Sequence, residues 1–161
     1  MSLLETLQNT QLGVFLITLV IAMVPVVELR VAIPIGVGLG LGPWEALCAA
    51  VIGNMLPVPF LILFVRRIFA WLRRHFPRLD GILTHLEEKA HLKGRTVTKY
   101  KYFGLLIFVA IPLPGTGAWT GSLIAAVLDM SVKKSFPTIF GGVIIAGVLI
   151  LTLTGMVSLL I

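Results

Sequence analysis

Apolar residues fill this chain in four long blocks, 12–27, 31–65, 103–128 and 136–161, yet proline, glycine and charged residues interrupt them where a helix should run smoothly. A spanning helix needs about 20 consecutive apolar residues. The first block ends on Pro25, Glu28 and Arg30, and the third is broken in its middle by the run Ile111, Pro112, Leu113, Pro114, Gly115, Thr116, Gly117. Proline removes a helix donor and glycine loosens the backbone, so no continuous helix passes through that run. Backbone that leaves the helix at membrane depth must be buried in protein or line a wet cavity, because lipid offers its amides no partner. The pattern therefore predicts re-entrant hairpins in place of two of the four spans.

Lipid is the solvent that the composition requires. Of 161 residues, 58% are hydrophobic and 12% are charged, against roughly 25% charged in a soluble domain. A small soluble domain buries only about 60 to 70% of its surface and could not hide that excess. Ten of the thirteen basic residues lie between Arg66 and Lys101, in a single segment between apolar blocks. The positive-inside rule places such a segment in the cytoplasm, and this location, with no recognition motif, argues against nucleic acid as a partner. No Lys or Arg precedes Gln11, so no secretory leader is expected and the chain reads as inserted whole. The single cysteine, Cys48, excludes an intramolecular disulfide and reads as a small apolar filler.

The two halves share a layout. Pro25 precedes a broken stretch and lies 28 positions before Gly53, while Pro112 does the same and lies 29 positions before Gly141. The reading is a hairpin followed by a span, twice: hairpin 12–42, span 45–65, a basic amphipathic segment 66–102, hairpin 103–129 and span 136–161. Lys133 and Lys134, like the basic segment, belong inside, so the first hairpin opens outward and the second inward. The fold class expected is an all-α integral membrane protein, an inverted repeat of two opposed re-entrant hairpins and two transmembrane helices. Transporters build midplane sites from discontinuous helices arranged in this way. Within the basic segment, Ile82, Leu83, Leu86 and Ala90 form an apolar stripe suited to the inner membrane surface. His85, Glu88 and His91 share a helical face but lack a fourth ligand, so no metal is expected.

Glu28 and Arg30 are the sharpest candidates for a site, since an ionised group inside an apolar segment costs about 2.5 to 3.5 kcal/mol even on lenient insertion scales. Arg30 offers a permanent fork for phosphate or carboxylate. Glu28 is a candidate proton carrier, because desolvation favours the neutral form of a carboxyl group. The bland alternative makes them interfacial residues at the end of a first span. The second candidate cluster is Pro112, Pro114, Gly115, Thr116, Gly117, Trp119, Thr120 and Gly121. It supplies backbone amides at a helix start near Ala118, two hydroxyls and one flat apolar wall, and helix N-termini attract anions. Its alternative is a tight packing corner. Asn54, beside Gly53 and before Pro57 and Pro59, is a buried amide that either joins helices or meets cargo. Ser122, Ser131 and Ser135 have no histidine and acid at membrane depth, so no enzyme and no cofactor are expected.

The stretches 27–36 (VELRVAIPIG), Gly53-Asn54 and 111–121 (IPLPGTGAWTG) resemble the small multidrug export protein family and, more distantly, the DedA superfamily of double-hairpin membrane proteins. The resemblance implies a transporter in the cytoplasmic membrane of a bacterium or archaeon. It makes Glu28, Arg30 and the hairpin from Pro112 to Gly121 the matching functional positions, and Pro34 is a further candidate for the site. The broader superfamily implies proton-linked movement of a lipid phosphate such as a polyprenyl phosphate; this chain departs from it in carrying Thr116 and Trp119 where those relatives have an arginine-bearing motif. The expectation is a small, proton-coupled secondary transporter, with membrane lipids, protons, an amphipathic or anionic-lipid substrate and a second copy of itself as partners. An uncoupled scramblase and a membrane scaffold are the alternatives.

Overall fold

The computed structural model describes residues 10–98, 101–113 and 115–160, and the described residues form an all-helical bundle without strands. Helices α1 (Gln11–Met23) and α2 (Glu28–Gly38) are joined by the short break 24–27. Next come α3 (Pro43–Met55) and α4 (Val58–His75), separated by a kink at Leu56 and Pro57, where both residues keep helical dihedrals. A single 3-10 turn (Pro77–Leu79) leads into α5 (Asp80–Thr98). The second half comprises α6 (Tyr102–Ala110), the break 111–117, α7 (Ala118–Val127) and α8 (Val132–Leu160).

Two stretches are long and apolar enough to cross a membrane, Pro43–Val65 and Val132–Gly155. The four short helices α1, α2, α6 and α7 have 13, 11, 9 and 10 residues, or about 14 to 20 Å at 1.5 Å per residue, well short of a bilayer's hydrocarbon core of about 30 Å. The first long stretch begins two residues earlier than expected, because Pro43 suits the first helical turn and the Gly42 amide donates to the Glu45 carboxylate at 3.2 Å. It also continues as helix beyond residue 65 to His75, which makes Arg67, Arg73 and Arg74 part of α4.

The halves repeat at a constant offset of 89 positions. Positive φ angles fall at Val26 and Gly115, at Glu28 and Gly117, and at Gly40 and Asp129. The turns that close α2 and α7 carry the same hydrogen bonds at the same offset: Leu39 N–H to Ile35 O, Gly40 to Val37 and Leu41 to Gly36 are answered by Leu128 to Ile124, Asp129 to Ala126 and Met130 to Ala125. This is the Schellman arrangement, which satisfies the last carbonyls of a helix. Buried faces recur too, with Leu29, Ala32, Ile33 and Gly36 in α2 matched by Ala118, Gly121, Ser122 and Ala125 in α7.

Packing follows the repeat. α1 lies along α3 and α6 along α8, while α2 contacts α8 and α7 contacts α4, so α2 and α7 each pack on the long helix of the other half. A side chain at Gly53 would overlap the Leu19 carbonyl of α1, and one at Gly142 would crowd the Leu106 carbonyl of α6. Gly147 lies against Leu47 and Val51, whereas Phe136 and Phe140 share a groove with Met55, Pro59 and Phe60. The two long helices therefore run antiparallel. α5 turns Leu83 and Ala90 inward, only 4% and 2% exposed, and packs on α6 and α7. Only half of its apolar stripe is left outward, at Ile82 and Leu86. Arg73 ties α4 to α5 through Asp80 at 2.9 Å and Glu87 at 2.8 Å.

Candidate functional site

The two breaks meet. Glu28 opens α2 with its carboxyl group 2% exposed, and it is the one charged side chain among the buried described residues. Its Oε1 accepts the Trp119 backbone N–H at 3.1 Å, and the Ala118 amide adds an electrostatic attraction to the same carboxylate. These are the first amides of α7, donors with no partner inside their own helix. A helix start of this kind is ordinarily capped by a Ser, Thr, Asp or Asn side chain next to it in sequence. Here the cap position is Gly117, which has no side chain, and a Cβ there would overlap Glu28 Oε2. Glu28 thus caps α7 from 91 residues away, with its negative charge at the positive end of the helix dipole.

Two further bonds close the junction. Arg30 Nη2 donates to Thr116 Oγ1 at 2.8 Å. That oxygen also accepts the Leu113 N–H at 3.2 Å, and its proton goes to Ile111 O at 2.6 Å or Leu113 O at 2.7 Å, so one threonine shapes the break and receives the arginine. The Trp119 indole N–H donates to Met23 O at 3.1 Å, a carbonyl that α1 leaves free at its end. Arg30 and Trp119 lie at the same offset of 89 positions; Trp119 reaches the end of α1, whereas Arg30 reaches the break after α6. The described ion pairs within 4 Å are those of Arg73 with Asp80 and Glu87; Glu28 and Arg30 do not pair directly, although each feels the other's charge.

The junction therefore joins five of the sequence candidates: Glu28, Arg30, Thr116, Gly117 and Trp119. Pro112 and Gly115 lie in the same break. Pro34 is exposed on α2, and Thr120 is half-buried on α7. Gly121 packs on Val109 of α6. Pro114 lies outside the described residues. Helix α2 starts at Glu28, because the chain rewinds at once after the bend, with the Glu28 N–H on Val24 O at 3.0 Å. Asn54 is fully buried on α3, and neither atom of its carboxamide has a partner among the described residues. Met23 was invisible to sequence reasoning, since it takes part through its carbonyl; the only hint was its place shortly before Pro25.

Beside the junction runs an apolar groove of about 530 Å³, lined by Met23, Trp119, Leu56, Phe60, Phe64 and Ile68 among others. A second groove, of about 440 Å³, shares Leu56 and Phe60 with it and reaches Phe136 and Phe140 of α8. A polar junction therefore lies beside apolar surface.

Fold and site together define a small helical protein with two membrane-length helices and a junction of broken helices between them. The model of the family described as "Putative small multi-drug export protein" matches residues 28–149, and the chain belongs to that family. No curated protein and no solved structure matches the chain.

Proposed function

We propose that this protein is a small secondary transporter of the cytoplasmic membrane, that its cargo is amphipathic, and that protonation of Glu28 couples movement to a proton gradient. The observation that carries the reading is the shared wall: Met23 and Trp119 hold the two hairpins together and also form one end of the apolar groove. Cargo entering that groove presses on the bond that joins the halves. The family's name, which speaks of multi-drug export, agrees with a groove that recognises apolar bulk more than a particular shape.

In this reading the short helices are arms of re-entrant hairpins that enter from opposite sides and meet at the Glu28 junction. Antiparallel long helices support that inversion, because they put Trp44 and Lys133, each near the start of one of them, at opposite faces. The basic residues from 66 to 101 assign the end of α4 and α5 to the cytoplasm. Protonating Glu28 would replace a charge-assisted cap by a neutral one of roughly half the strength, loosening the hold of the first half on α7. Arg30 and Thr116 would keep the hairpins in register meanwhile.

Flux into proteoliposomes tests the reading, with a fluorescent lipophilic cation and an anionic amphiphile as probes. Glu28→Gln is expected to carry a probe down its own gradient and to lose the stimulation that a proton gradient gives the unaltered protein. Undiminished proton dependence in Glu28→Gln would remove the carboxyl group from the coupling role. Gradient-independent movement of labelled lipid by the unaltered protein would replace the carrier by a scramblase.

A further inference from the structure

The repeat has an axis, and the axis passes through the site. Glu28 and Gly117 are equivalent positions, and they touch each other: the carboxylate fills the space where a Gly117 side chain would be. Val51 and Phe140 are equivalent at the same offset, and they line one groove. A residue can adjoin its own equivalent only near a two-fold axis relating the halves. Away from that axis the halves are not in the same state. Trp119 holds Met23 O directly, at the end of α1, whereas Arg30, its equivalent, stops at the Thr116 hydroxyl in the break after α6. The groove lies on one side of the axis, running from Trp119 along Phe60 and Phe64 to Ile68, toward the basic end of α4.

We propose a second conformation of this protein in which the two halves exchange their present conformations about the Glu28–Gly117 contact. The present groove then closes, and an equivalent groove opens toward the opposite face. Its lining follows from the offset: Arg30 takes the place of Trp119, Ile145 that of Leu56, Leu149 that of Phe60 and Leu153 that of Phe64. The Glu28–Gly117 contact maps onto itself and serves as the pivot. The bond from Trp119 to Met23 O is replaced by one from Arg30 to Pro112 O. The two grooves differ in chemistry, an indole and phenyl rings on one side and a guanidinium with aliphatic side chains on the other. The second therefore holds an anionic group more firmly than the first. This deepens the transport reading, since exchange of conformations between inverted repeats is how a single site is exposed to each side in turn.

The test is side-specific labelling in sealed vesicles without cargo, using a membrane-impermeant thiol reagent. Single cysteines replace Phe64 or Leu153 in a Cys48→Ala background; both positions are exposed, so neither exchange disturbs the core. Position 64 is expected to react from the side of the basic segment and position 153 from the opposite side. Trp119→Phe deletes the donor to Met23 O and leaves the second state's bond intact, so it should raise labelling at 153 and lower it at 64 by several-fold. Labelling of both positions from one side, or labelling at 153 that Trp119→Phe leaves unchanged or lowers, overturns the second conformation. Because no flux is measured, the outcome stands apart from the transport reading. Reciprocal labelling without flux would remove transport and leave the exchange, whereas flux without reciprocal labelling would do the opposite.

Discussion

At equivalent points the first half bends through Val26 and Glu28, with φ of 75° and 48°, and the second through Gly115 and Gly117, with φ of 80° and 107°. The left-handed region suits glycine and strains a β-branched side chain. The second half takes the bend without strain and has room but no chemistry there. The first half takes it at a cost and gains a carboxylate in the middle of the protein. That carboxylate occupies the space the other half leaves empty and binds the amides the other half leaves free. Strain of this kind, about 1 to 3 kcal/mol per residue, collects at functional positions when the surroundings enforce it. A repeat that could have been two similar corners has become a donor half and an acceptor half.

The largest test of that contrast puts a side chain into the acceptor half. Gly117→Val should cost about 3 kcal/mol or more, because it drives Glu28 from its amides and forces a β-branched residue to positive φ. Folded yield and thermal unfolding in mild detergent would read it, and a variant of near-normal stability would mean that Glu28 does not fill this space. Removing the donor is the next step down. Glu28→Ala should lose about 1 to 2 kcal/mol, as the loss of a helix cap does, while Glu28→Gln, which keeps an acceptor oxygen, should lose less than half of that. Equal losses in the two would place the stabilisation in the charge and not in the cap. The smallest effect has the opposite sign: Val26→Gly should raise stability by up to about 1 kcal/mol by relieving the bend. No change, or a loss, would show that the exposed Val26 is not strained.

Much of this architecture was legible because its signals are local. Pro25 and the run from Pro112 to Gly117 break helices by rules that need no tertiary context, and the breaks lie where those residues put them. The sequence suggested a repeat at spacings of 28 and 29 from the prolines, whereas the matching backbone bends lie 89 positions apart, since prolines mark where a helix stops and not where the backbone bends. The constant register lies in φ angles and turn hydrogen bonds, which pair Val26 with Gly115 and Gly53 with Gly142; these pairs share a conformation or a packing role. Glu28 and Arg30 drew attention as charges in an apolar setting. Thr116 and Trp119 drew attention too, as a hydroxyl and a helix start with free amides, but nothing local paired them with Arg30 and Glu28; Met23 drew none, because it serves through its carbonyl, a group that every residue carries. Leu83 and Ala90 show the same limit: an apolar stripe says that a face is covered, and only the fold says that α6 and α7 help to cover it.

The central claim is that the two breaks are held together by specific bonds between them, and a double-mutant cycle on Arg30 and Thr116 tests it most directly. Unfolding free energies would be measured in mild detergent for Arg30→Gln, Thr116→Val and the pair. Each single change should lose about 1 to 2 kcal/mol, with a charged donor or a hydroxyl acceptor deprived of its partner. The double change should lose about 1 kcal/mol less than the sum, as residues sharing a hydrogen bond do. Losses that add to within about 0.5 kcal/mol, the behaviour of independent sites, would contradict the account.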